Sequence, residues 1–157
     1  MPFNQEIRDL VAKMKLIPNR SLVSGKTGVF CDDSIVRGTQ LVGNTRDLYE
    51  AGIREIHMRI ACPPLLFPCE FLNFSRSKKA AELASRKAIL KLEGEKEVNY
   101  SDYADPGSEK YKSMVDSIRQ SLNLTSLAYQ HLGDLVDAIG LPKEKLCTHC
   151  WDNSSYT

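Results

Sequence analysis

Val29-Phe30-Cys31-Asp32-Asp33-Ser34-Ile35-Val36-Arg37-Gly38-Thr39 is an apolar run that stops on two adjacent acids and continues through a short Ser/Gly/Thr turn. Val29, Phe30 and Cys31 read as a short parallel strand buried on both faces, because such strands show continuous apolar runs rather than alternation. Ligands of parallel sheets collect at the carboxyl ends of the strands. Asp32 and Asp33 stand at that end, where carboxylates accept hydrogen bonds from vicinal hydroxyls or hold a hydrated Mg²⁺. The turn supplies the anion side. Backbone N–H groups converging at a helix N-terminus bind phosphate, with Gly38 permitting close approach, the Ser34 and Thr39 hydroxyls as donors, and Arg37 as a charge. The simpler reading, an acidic pair that only favours the following helix by about 0.3 to 1 kcal/mol, leaves the strand before it and the turn after it unexplained. The stretch implies a site for a phosphorylated sugar.

Outward from it, a helix is expected at about 39 to 51, with Leu41, Thr45, Leu48 and Tyr49 on one face and Gly52 as its stop. Residues 53 to 61 alternate as a second strand, which completes one right-handed parallel crossover. Upstream, Ile7, Leu10, Val11 and Met14 recur at helical spacing until Pro18-Asn19. Downstream, Pro63, Pro64 and Pro68 make residues 62 to 76 an irregular connector. The remainder reads as helices at 78 to 93, 109 to 122 and 132 to 139, with the polar stretch 94 to 107 as a surface insertion. The expected class is therefore α/β: a partial parallel sheet over residues 1 to 76, then a helical region over 77 to 157 that ends in Cys147-Thr148-His149-Cys150.

The segment Asp32 to Thr39 resembles the phosphoribosyl pyrophosphate (PRPP) motif of type I phosphoribosyltransferases, in the spelling typical of glutamine amidophosphoribosyltransferases. The resemblance extends to residues 14 to 20 (Met-Lys-Leu-Ile-Pro-Asn-Arg), 55 to 64, Pro68-Cys69, Ser126-Leu127 and the C-terminal cysteine pair. It corresponds to roughly the last third of a full-length member, and it implies that Asp32 and Asp33 meet the ribose hydroxyls and Mg²⁺. The turn from Ser34 through Ile35, Val36, Arg37 and Gly38 to Thr39 would hold the 5-phosphate. It further implies that Lys15 and Arg20, in a mobile loop, neutralise the leaving pyrophosphate while ammonia attacks the anomeric carbon, although both are equally readable as solvated charges. Gln40 departs from the family's usual threonine. A glutaminase partner to supply ammonia, the upstream pyrophosphate loop and the first strands of the sheet are expected to lie outside the chain, and the parent enzyme is expected to be a homo-oligomer.

By spacing alone the Cys147/Cys150 pair suits zinc, a redox dithiol or an iron–sulfur cluster. The resemblance favours a 4Fe-4S cluster held by Cys69, Cys147 and Cys150 with a fourth ligand from outside, while Cys62 or His149 would complete a zinc site instead. Cys31, inside the strand, is expected to be a small core residue.

Composition narrows the rest. Twenty-one basic and twenty acidic residues without a basic block argue against nucleic acid as the main partner. No apolar run reaches the roughly 20 residues that span a bilayer, the first residues carry no signal-peptide pattern, and five cysteines suit a reducing compartment, so a cytoplasmic location is expected. Gly25-Lys26-Thr27 is no nucleotide P-loop, because it precedes a strand and Arg20 stands where the first glycine belongs. The alternative to an amidophosphoribosyltransferase fragment is a stand-alone PRPP-binding or metal-binding module without catalysis.

Overall fold

The computed structural model describes residues 17–69, 80–94 and 97–154. The helix expected at 4 to 16, and Lys15 with it, lies outside the described residues. A one-turn helix α1 (Arg20–Val23), capped by the Asn19 side chain on the Ser21 N–H, leads into strand β1 (Thr27–Asp32). Helix α2 (Thr39–Glu50) and strand β2 (Glu55–Ile60) follow, and the β1-α2-β2 unit matches the expected crossover within a residue or two. The chain then passes through the proline connector to α3 (Ala84–Glu93), α4 (Glu109–Ser121), β3 (Ser126–Tyr129), α5 (Leu132–Ile139) and the short α6 (His149–Asp152).

The three strands are parallel in the order β1-β2-β3, with Thr27 opposite Glu55 through Asp32 opposite Ile60, and His57 opposite Ser126 through Ile60 opposite Tyr129. Because both connections advance in the same direction and parallel crossovers are right-handed, their helices fall on one face of the sheet. That face is the core. Ile56, Met58 and Ile60 of β2 are at most 5% exposed and pack with Leu48 of α2, Ala88 and Ile89 of α3, and Met114 and Ile118 of α4. Full burial of one such side chain contributes about 1.5 to 3 kcal/mol.

The same geometry corrects the reading of β1. Its exposure alternates, Val29 is 67% exposed and Cys31 is exposed, so β1 is an edge strand and Cys31 is no core residue. Among the described residues nothing covers the face carrying Val29, Glu55, His57 and Arg59. His57 Nδ1 meets Ser126 Oγ at 2.7 Å, and Arg59 Nη1 donates to the same oxygen at 3.0 Å, which gives both a structural role across the strands.

Two further expectations change. β3 was not foreseen in a stretch read as helical, and it places the second half of the chain in the same sheet and core as the first. The stretch 94 to 107 is more than a surface insertion: Tyr103 is 1% exposed in the core and its hydroxyl donates to Glu93 Oε1 at 2.6 Å. No helix among the described residues is long and apolar enough to cross a membrane.

Candidate functional site

At the carboxyl end of β1 the Asp32 carbonyl accepts the Ala61 N–H from the end of β2 at 3.0 Å, which ties the two strand ends together. Beyond it each acid is held by the next residue. The Asp33 N–H donates to Asp32 Oδ1, and the Ser34 N–H to Asp33 Oδ1, both at 2.9 Å. Burial, reinforced by the neighbouring Asp33 side chain and only partly offset by the Asp33 N–H, raises the Asp32 carboxyl above its ordinary value. A nearby cation would favour its ionised form again.

The turn is anchored from beneath. Ile35 is 4% exposed in the core, and the Val36 carbonyl accepts the Ala84 N–H from the start of α3 at 2.8 Å. Gly38 then takes the left-handed conformation (φ 73°) and caps α2 with no side-chain oxygen. The first N–H groups of a helix have no intrahelical partner, so those of Thr39, Gln40 and Leu41 remain for an anion. A Cβ on Gly38 would meet Leu122 Cδ2 at 3.0 Å, in addition to the backbone strain of a positive φ. Asp32, the turn and the first residues of α2 enclose an open recess of about 510 Å³. That is the size of a small-molecule site.

Arg37 stands in the turn but is half exposed and pairs with Glu82, Nε to Oε2 at 3.2 Å. Arg20 is not brought to the recess: its Nη2 donates to the Glu50 carbonyl at 2.7 Å, fixing α1 to the C-terminal end of α2. The length of α2, roughly 18 Å at the helical rise, separates that contact from Gly38. Asn44 and Gln40 also line the recess. Their spacing of four on a helix that starts at the phosphate turn was a legible signal for them, whereas the Glu82 partner of Arg37 and the Leu122 support of Gly38 had none.

The cysteines gather at the other end of the connector. The Leu66 and Phe67 N–H groups donate to the Cys150 carbonyl at 2.8 and 3.0 Å, which folds the connector onto the C-terminal tail. Cys69 is buried there and hydrogen-bonds to Cys150, whose thiol is pushed up to about 12, first by burial and then by Cys69, with a smaller contribution from Cys147. A redox thiol would need its pKa lowered. Cys62 lies between the tail and the acids; burial raises it to about 11 although the Trp151 indole faces it, and Asp32 and Asp33 add to the rise. Among the described residues no group of three or more His, Cys, Asp or Glu side chains converges well enough to hold a metal ion.

No protein-family model matches the chain. Against proteins of known sequence, it is 34% identical over 148 residues to the amidophosphoribosyltransferase of Methanothermobacter thermautotrophicus and 33% identical over 150 residues to that of Mycobacterium tuberculosis. A shorter stretch of 84 residues is 50% identical to the chloroplastic amidophosphoribosyltransferase of Vigna aconitifolia. All three carry that one name. The first two alignments take in 94% and 95% of this chain but 26% and 24% of the relatives, so the chain spans about a quarter of their length. Among solved structures, the glutamine PRPP amidotransferase from B. subtilis complexed with ADP and GMP superposes with a TM-score of 0.65 at 26% identity, over 99% of this chain and 29% of that one. A structure described as the allosteric regulatory enzyme of purine biosynthesis gives 0.62 at 28% identity, over 99% and 28% of the two chains.

Proposed function

We propose that this chain is the PRPP-binding portion, toward the C-terminal end, of an amidophosphoribosyltransferase that makes phosphoribosylamine from PRPP and glutamine-derived ammonia in the first step of purine synthesis. The observation that supports it best is the meeting, at one recess of about 510 Å³, of Asp32, with Asp33 next to it in the chain, and the uncapped, left-handed Gly38 turn. Phosphate seats on the N–H groups of Thr39 to Leu41 and the hydroxyls of Ser34 and Thr39. Asp32 and Asp33 accept the ribose hydroxyls and stand where Mg²⁺ of the substrate would be held. The chain's task in the reaction is thus to orient the sugar while charge develops at the anomeric carbon. Glutaminase, pyrophosphate loop and the remaining strands come from residues beyond those of this chain.

Titration calorimetry tests the reading without the full reaction. Ribose 5-phosphate should bind in a saturable way and ribose at least about ten-fold more weakly, since each charge-assisted hydrogen bond to phosphate is worth about 1.5 to 3 kcal/mol. Gly38→Ala should remove most of that difference. Equal binding of the two sugars would set the assignment aside.

For the cysteines we propose that Cys69, Cys147 and Cys150 are three of the ligands of a 4Fe-4S cluster. Cys69 and Cys150 hydrogen-bond to each other, and among the described residues no three such side chains converge on a metal. That falls short of the four thiolates such a cluster takes, and no step of the reaction is routed through it. Anaerobic reconstitution with iron and sulfide should load iron onto the chain, and Cys150→Ser should reduce the iron count to background. One tightly held zinc with no iron would assign the site to zinc, with Cys62 or His149 as a further ligand.

A further inference from the structure

A second recess, of about 310 Å³, opens between α4 and the edge strand β3, well away from the phosphate turn. Tyr111 and Tyr129 line it, and each is only 8% exposed. Among the described residues neither phenol hydroxyl has a hydrogen-bond partner, yet neither oxygen is sealed from solvent. Two largely buried hydroxyls that meet no protein acceptor and still reach the recess can donate to water there, or to a ligand acceptor that replaces it. Burial pushes both phenols up, Tyr111 to about 12 and Tyr129 further, with the neighbouring Tyr111 adding to the rise of Tyr129. Both are therefore O–H donors throughout the physiological range.

The rim adds a guanidinium. Arg119 Nε donates to Asp116 Oδ1 at 2.7 Å and Nη1 to the Leu124 carbonyl at 2.9 Å, which holds the guanidinium at the recess with Nη2 uncommitted among the described residues. Lys112 and His131 stand at the same mouth, where Lys112 pairs with Glu109 at 2.7 Å and His131 faces Asp134 at 3.9 Å, so the open Nη2 of Arg119 is the charged donor left for a ligand. Val115, Leu127 and Ala128 supply apolar walls. A buried pair of neutral donors, a clamped guanidinium and apolar sides together suit one kind of molecule.

We propose that this recess binds a small organic anion: a carboxylate or similar acceptor received by the Tyr111 and Tyr129 hydroxyls and by Arg119, with a compact apolar body against Val115 and Leu127. The site is independent of the phosphate turn and of the function assigned to it.

Benzoate is the probe. Titrated into the full chain and followed by amide chemical shifts, it should saturate in the millimolar range or below, with the largest shifts at Val115, Ala128 and Tyr129. Tyr111→Phe with Tyr129→Phe should lower its affinity at least about ten-fold while thermal stability holds or rises, because the unpartnered hydroxyls are gone. Val115→Trp, which fills the recess and leaves both hydroxyls, should abolish binding independently. Absence of saturable binding to the wild-type chain, undiminished binding by the double Phe variant, or shifts at the same residues equally large with inorganic phosphate would each overturn the proposal.

Discussion

Replacing Asp32 and Asp33 together by Asn is expected to lower the affinity for Mg-PRPP by well over ten-fold while leaving the fold intact. The two substitutions preserve shape and local bonding: an amide oxygen still accepts the Asp33 and Ser34 N–H groups that now rest at 2.9 Å on the carboxylates. Only charge is lost. Hydrogen bonds from sugar hydroxyls to charged acceptors are worth about 1.5 to 3 kcal/mol each, and 1.4 kcal/mol is ten-fold in affinity, so loss of even one such bond exceeds the threshold. Stability should move the other way. The folded-state pKa of Asp32 is raised by burial and by the Asp33 side chain, so the folded chain holds that proton more tightly than the unfolded one. Its contribution to stability is then fullest at low pH and is lost as pH rises from the ordinary carboxylate range through the elevated folded value. Asp32→Asn should remove that decline. Calorimetry with Mg-PRPP, alongside thermal unfolding across pH, reads both effects, and unchanged PRPP affinity in the double variant would sink the assignment of these acids.

The strand, turn and helix start around Asp32 to Thr39 were legible because everything they need is local: an apolar run, two acids and a glycine within eleven consecutive residues. The crossover from β1 to β2 was legible for the same reason. What failed depended on distant chain. Val29 to Cys31 looked buried because parallel strands usually are, but the strand order places the crossover helices on one face and, among the described residues, leaves β1 at the edge. β3 is four residues long, too short for alternation to separate it from the helices around it. Tyr103 was hidden in a polar neighbourhood whose composition says nothing of one aromatic anchor. Arg20 was placed by resemblance, and its position at the far end of α2 is set by the Glu50 carbonyl, thirty residues away. The phenols of Tyr111 and Tyr129 had no sequence signal either, since they come together only when β3 packs beside α4.

Ile118→Ala should be the most damaging single change to the fold, and it should reach the phosphate turn. Ile118 is 1% exposed in the middle of α4, beside Met114, which is fully buried. Truncating a fully buried Ile removes its transfer free energy and leaves a cavity that packed neighbours only partly fill, for a loss of about 2 to 5 kcal/mol. Against the 5 to 15 kcal/mol that usually holds a domain together, that is a large share. One turn further along the same helix stands Leu122, 3% exposed, whose Cδ2 lies 3.0 Å from where a Gly38 Cβ would be. A helix that settles into the cavity at 118 therefore withdraws the support beneath Gly38, and ribose 5-phosphate affinity should fall along with the urea midpoint. Arg119→Ala, one residue away on the outer face, controls for a generic loss of stability: it removes surface bonds to Asp116 and the Leu124 carbonyl but no core volume. It should cost far less stability and leave the sugar phosphate bound. If both variants weaken ribose 5-phosphate equally, the coupling runs through overall stability and the buttress role of α4 is wrong.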